Sequence, residues 1–238
     1  STFATVTSTT INSNTNNYLI TGSGTANTLN GESNLTFDGN ALTVTNSSSN
    51  TAATFQGAAG AGFIAIKDGD DSTVAYIGVD GGSLKFQTSG SSYSDKLLIN
   101  SSGYITMPNR PMFSGRANIS NAMRTATETM QLTSNVNVGS HWSNSNYNFT
   151  CPVTGYYFMS CSTISNVESY LFFRKDTGSG FAKIYTSSHA YGRGDGGNYR
   201  TLAATHIESC NVGDKLDFYV QGGYYGLEHG SGTIFLLA

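Results

Sequence analysis

The side chains able to do chemistry are few and scattered. The chain has four histidines, His141, His189, His206 and His229, among abundant Ser and Asp. A nucleophile–base–carboxylate relay is defined by geometry, and with this composition a Ser/His/Asp grouping is expected by chance. No catalytic constellation stands out, so the expectation is a protein that is not an enzyme. Asp68, Asp70 and Asp71 resemble a fragment of a calcium loop. Such a loop needs Gly at its sixth position and Glu at its twelfth, and counted from Asp68 those positions hold Thr73 and Val79. A solvated turn is the simpler reading; no cofactor is expected, and calcium has no supporting motif. Arg193-Gly194-Asp195 matches a cell-adhesion tripeptide, but the surrounding glycines read as an exposed loop tip.

Recognition chemistry fits these residues better than catalysis. Three loop-like stretches carry aromatic and polar side chains together: His189, Tyr191, Arg193, Asp195 and Tyr199; Tyr224, Tyr225 and His229; and His141 with Trp142, the single Trp. Aromatic faces stack on sugars while Asn, Asp and Arg fix hydroxyls. These residues form the candidate receptor-binding set, and a glycan is the candidate ligand. Packing between copies of the chain is the competing use for the same side chains.

The elements that must position them read as β throughout. Charged residues make up 11% of the 238 residues, against about 25% in an average domain. Ser, Thr, Asn and Gly take their place and disfavour helix, while Tyr, Phe, Thr, Val and Ile favour strand. A net charge of −3 with scattered Lys and Arg offers no cationic field for nucleic acid. No apolar run of about 18 residues appears, so no membrane insertion is expected. Ser1-Thr2-Phe3-Ala4-Thr5 lacks the charged and apolar regions of a secretory leader. Cys151, Cys161 and Cys210 are odd in number and wrongly spaced for zinc; they read as reduced, buried packing residues suited to assembly in a reducing cytoplasm.

The two halves differ. In the first, strands of four to six residues recur, each closed by Asp, Gly, Asn or Ser. Leu35 and Phe37 alternate with polar residues, as do Leu42 and Val44, with Asp38-Gly39-Asn40 between them as a hairpin signal. Such strands are too short and polar to enclose a core within one chain, and association about a symmetry axis would complete one. Pro108 and Pro111 mark a stiff connector. Residues 116–132 read as loop plus an initial strand. Likewise 129–134, 147–150, 154–163, 167–175, 181–187, 199–209, 214–221 and 232–237 read as strands of an antiparallel sandwich.

Two motifs in this second half resemble the complement-1q globular head of the tumour-necrosis-factor-like superfamily. One is Phe149-Thr-Cys-Pro-Val-Thr-Gly155-Tyr156-Tyr157-Phe158-Met159, with Met159 where the family usually has Phe. The other is Val212-Gly213-Asp214-Lys215-Leu216-Asp217-Phe218-Tyr219-Val220, then Gly222-Gly223-Tyr224-Tyr225-Gly226 and Thr233-Ile234-Phe235-Leu236-Leu237. The resemblance implies a jelly roll and a homotrimer, with Tyr157, Phe218 and Phe235 as core or axis side chains. The first half lacks a Gly-X-Y collagen stalk. Asn34–Val44 and Leu97–Ile105 instead resemble the polar β shafts of marine bacteriophage fibres.

These readings predict an all-β chain. Residues 1–50 form a virion-attachment and shaft segment, 51–107 a β shaft, 108–115 the Pro-containing connector and 116–238 a jelly-roll head. The expected function is a homotrimeric phage virion fibre or spike that binds a host receptor or glycan through head loops, located in the virion and docked on another virion protein through its N-terminal segment. Alternatives are a capsid decoration fibre without receptor binding and a secreted cellular complement-1q-like protein.

Overall fold

The structure is a computed structural model that describes residues 9–13, 15–48, 51–57, 60–67, 74–88, 94–118, 123–125, 127–184, 190–193, 197–226 and 229–237. It is all-β, and no helix among these residues is long and apolar enough to cross a membrane. The first sheet contains β1 (Thr10–Asn12), β2 (Tyr18–Gly22), β3 (Thr28–Phe37) and β4 (Leu42–Val44). The predicted hairpin joins β3 and β4, with Leu35 opposite Val44 and Phe37 opposite Leu42. Asp38 Oδ1 accepts the N–H groups of Asn40 at 2.9 Å and Ala41 at 2.8 Å. Gly39 has φ +97°, a conformation that costs glycine little and other residues much.

The second sheet is an antiparallel meander of β5 (Ala61–Lys67), β6 (Val74–Asp80), β7 (Ser83–Thr88), β8 (Ser94–Ile99) and β9 (Ile105–Thr106). Its register aligns Ile64, Ile77, Phe86 and Leu97 in one cross-strand row and Val79, Leu84, Ile99 and Ile105 in the next. Directly opposite residues share a face, so eight apolar side chains cover one side of this sheet. The other side is mixed: Phe63 meets Tyr76 edge-on at 6.4 Å, Leu98 lies opposite Lys85, and Lys85 bridges Asp80 at 2.8 Å and Asp95 at 3.4 Å. Among the described residues this apolar side stays partly exposed, Ile64 at 43% and Val79 at 50%, and none before Pro111 is buried. The acidic stretch Asp68, Asp70 and Asp71 lies outside the described residues.

Buried structure begins at Pro111. The remaining strands are β10 (Met112–Ala117), β11 (Met123–Arg124), β12 (Glu128–Thr129), β13 (Leu132–Val138), β14 (Trp142–Ser143), β15 (Asn148–Thr150), β16 (Gly155–Ser165), β17 (Ser169–Asp176), β18 (Phe181–Lys183), β19 (Ala190–Gly192), β20 (Arg200–Cys210), β21 (Lys215–Gln221), β22 (Tyr224–Tyr225) and β23 (Ser231–Leu236). One layer has the order β13-β10-β23-β16-β20 and the other β14-β15-β21-β17-β18, with β12 on β21 and β19 on β17. From β20 to β23 the chain crosses from one layer to the other and back, β20 to β21 to β23. That alternation in an antiparallel two-sheet stack is a jelly roll. The inward residues are apolar. Phe113 stacks on Trp142 at 3.7 Å between ring centroids, and Phe149, Tyr157, Phe173 and Phe218 fill the space around them.

Most predicted head strands lie within about two residues of the observed ones, but one six-residue strand was missed, as were several of two or three residues. Met112–Ala117, whose first four residues the sequence places in the connector, is instead the second strand of its sheet. Phe113, Gly115 and Ala117 alternate inward and are buried. Pro111 precedes the strand, where its missing N–H removes no ladder bond. Tyr157 and Phe218 are core, whereas Phe235 is only half-buried.

The inward face of β20 reads Leu202, Ala204, His206, Glu208 and Cys210, so two ionisable side chains sit at the sandwich edge. Glu208 pairs with Lys175 from β17 and accepts a hydrogen bond from His206 Nε2 at 2.9 Å. Burial acts to raise the Glu208 carboxyl, but the Lys175 and His206 hydrogen bonds and charges outweigh it and hold the group below its ordinary 4.5. A depressed folded value stabilises fully above that ordinary value and is lost as pH falls through the folded one. Replacing Glu208 with Gln is expected to cost about 1–2 kcal/mol near neutrality. The deficit should shrink below about pH 4, measured by thermal unfolding followed through Trp142 fluorescence. A deficit independent of pH would rule this account out.

Candidate functional site

The head has two ends, and β16 measures the distance between them. Gly155 starts the strand beside the joint with the second sheet, where Arg110, Lys96, His141, Val153 and Leu236 line one cleft. Arg110 fastens this joint: its Nε donates to Leu236 O at 2.5 Å and its Nη2 to Leu237 O at 2.7 Å. Ten residues later, roughly 33 Å away at about 3.3 Å per residue, β16 ends at Ser165 opposite Arg200.

This far end, the apex, gathers candidate residues that are distant in sequence. Tyr199 meets Tyr225 edge-on at 5.3 Å, and Tyr225 meets His229 at 5.3 Å. Thr163 near the end of β16 holds this group in place by donating to Tyr225 O at 3.2 Å. The hydrogen bond between the two phenols pushes the Tyr225 hydroxyl above its ordinary value. Alongside, Tyr191, Gly192, Arg193, Arg200 and Thr201 line an open cleft of about 530 Å³. Tyr191 lies opposite Tyr170 on β17, with ring centroids 4.8 Å apart. Phe172 continues the aromatic strip at 5.9 Å from Tyr170, and Lys183 Nζ sits 3.9 Å from the Phe172 ring centre.

The candidate set therefore separates into groups. Tyr191, Arg193, Tyr199, Tyr225 and His229 meet at the apex. Trp142 and Tyr224 do not belong with them: they are 4% and 0% exposed. Trp142 Nε1 donates to Leu132 O at 3.1 Å, and the Tyr224 hydroxyl binds the Gln131 N–H and Glu128. Each has traded its surface for a buried hydrogen bond, which is how Trp and Tyr enter cores. His141 is at the opposite end, in the joint, where desolvation lowers its pKa. His189 and Asp195 lie outside the described residues. Sequence reasoning missed Tyr170, Phe172 and Lys183. Their signal was the alternation Tyr170-Leu171-Phe172-Phe173-Arg174, in which an outward aromatic is indistinguishable from an inward one until the layers are known.

The fold rests on its own strand order. No protein-family model and no curated protein matches this sequence. Among solved structures, the chain is similar to the globular domain of zebrafish complement 1qA protein at 15% identity, covering 54% of this chain and 98% of that one, with TM-score 0.45. It is similar to Eiger TNF from S. frugiperda at 12% identity, covering 54% and 94%, with TM-score 0.44. Murine APRIL at pH 5.0 aligns at 7% identity, covering 54% and 99%, with TM-score 0.43. These likenesses concern architecture alone. What the apex chemistry offers is recognition: aromatic edges and faces beside guanidinium groups suit a polyhydroxyl or anionic ligand.

Proposed function

We propose that this chain is a homotrimeric fibre protein of a virion, whose first half forms a shaft and whose head binds a surface glycan at its apex. One observation carries the trimer: both halves present continuous apolar faces that the described residues of a single chain leave partly exposed. In the second sheet this face is the eight-residue pair of rows. In the head it is a row across the outer side of one layer, Val138–Met112–Phe235–Phe158–Ile207, each residue opposite the next. Ile207 is 54% exposed, and Phe158 and Phe235 pack on each other at 5.0 Å. Monomeric proteins rarely expose apolar patches of this extent, and further copies related by an axis would bury both faces at once.

The apex lies opposite the shaft, so three copies would present three clefts in one direction. Avidity then exceeds single-site affinity by about two to four orders of magnitude. The virion assignment rests on the likeness of the first half to phage shafts, and the docking of its N-terminal segment on another virion protein follows from that. Purified protein should coat susceptible cells and block virus adsorption. Replacing Tyr191 and Arg193 together with Ala should weaken cell binding at least about tenfold without lowering the unfolding temperature. A trimer that neither coats cells nor competes would sink the binding half of the proposal and leave a decoration fibre.

A further inference from the structure

We infer that Cys151 and Cys210 form a latent disulfide that joins the two layers of the head once the protein meets an oxidising environment. Cys151 follows β15 in one layer and Cys210 ends β20 in the other. Both are buried free thiols. The backbone brings them together. The Cys151 N–H donates to Asp214 O at 2.8 Å and its carbonyl accepts the Gly213 N–H at 2.8 Å, which presses residue 151 onto the tight turn that directly follows Cys210. Across the sheet Cys210 faces Gly155, the far end of the short segment that Cys151 begins. Cys210 Sγ donates to Glu208 O at 4.0 Å, and the neighbouring Cys210 thiol together with burial pushes the Cys151 thiol well above its ordinary value. Cys161 takes no part: its thiol donates to Met130 Sδ at 3.3 Å elsewhere in the core.

The reaction is a thiol–disulfide exchange with a low-molecular-weight disulfide such as glutathione disulfide. One protein thiolate attacks the oxidant and releases one glutathione as thiol; the second attacks the mixed disulfide and releases the other. The protein pair loses two electrons and two protons, and both pass to the glutathione. The thiolate is the nucleophile, so neutral buried thiols react slowly in the folded head. That suits synthesis in a reducing compartment followed by locking outside it. The inference stands whether or not the head binds a glycan.

Full-length protein held with glutathione disulfide, and in parallel unfolded and refolded in a glutathione redox buffer, should lose about 2 Da without gaining a glutathione adduct. Peptide mapping should find the bond between residues 151 and 210, with one free thiol at Cys161. The unfolding temperature should rise by about 5–15 °C. Cys161→Ser should keep this rise and Cys151→Ser abolish it. The map of the unsubstituted protein decides the matter if a variant fails to fold. Three free thiols after oxidative refolding, a link through Cys161, or a bond between chains would each overturn the inference.

Discussion

Replacing Arg174 with Met is expected to destabilise the head by about 3–5 kcal/mol, the cost of stranding a buried charge. Asp217, on β21 directly opposite Arg174, is 1% exposed. The guanidinium grips it with both arms, Nε to Oδ1 at 3.0 Å and Nη2 to Oδ2 at 2.5 Å, and Nη2 also reaches Thr129 Oγ1 at 2.7 Å. The Tyr219 ring lies 3.9 Å from the guanidinium carbon and holds it flat. Burial pushes the Asp217 carboxyl above its ordinary value even with Arg174 opposing it. Because the folded value is raised, the ionised form is a liability that grows above the ordinary value and is relieved as pH falls. Without Arg174 that liability deepens, so the variant's deficit should narrow towards about pH 4. Adding Asp217→Asn should recover about half or more of the loss, since no charge then remains to be stranded. Urea unfolding followed through Trp142 fluorescence checks both variants. A single-variant loss under about 1 kcal/mol would show that Asp217 is adequately solvated without its partner.

Placing an acid on the apolar row of the head should break the trimer while leaving the head folded. Phe158 points away from the core, between Phe235 and Ile207. Burying a Phe side chain is worth about 1.5–3 kcal/mol, and a threefold assembly buries three. Phe158→Asp removes that gain three times over and brings three like charges together. The dissociation constant should rise at least about a hundredfold, roughly 3 kcal/mol or more. Sedimentation of the unsubstituted chain should give three times its 25.2 kDa mass, and the variant should approach a single chain as it is diluted. Trp142 fluorescence should match in the two, because that ring stacks on Phe113 inside the sandwich. An unsubstituted chain that stays single at micromolar concentration would end the fibre reading. A variant that stays trimeric would instead move the contact to the second sheet alone, which Ile77→Asp would then test.

Much of the head was legible because its strands follow a period of two over long stretches. In Gly155–Ser165 the buried residues fall on alternate positions without interruption, so the strand and its inward face could be read together. Met112–Ala117 failed for a local reason: two prolines nearby outweighed a short alternation through Gly115. Trp142 failed for a general one, since a lone aromatic between polar residues looks like a surface anchor until its distant stacking partner, Phe113, is known.

The residue pattern by itself determined the β character, the hairpin at Asp38-Gly39-Asn40, the contrast between a polar first half and an aromatic second half, and the burial of the cysteines. These depend on neighbours one to four residues apart, where backbone preference and alternation act. Only the tertiary structure decided that Tyr191, Arg193, Tyr199, Tyr225 and His229 share one end of the head, that His141 belongs to the other, and that Cys151 is seated on the turn that follows Cys210. It also assembled the apolar row from five strands. Such groupings arise from pairing between strands far apart in the chain, and no local periodicity encodes which strand lies beside which.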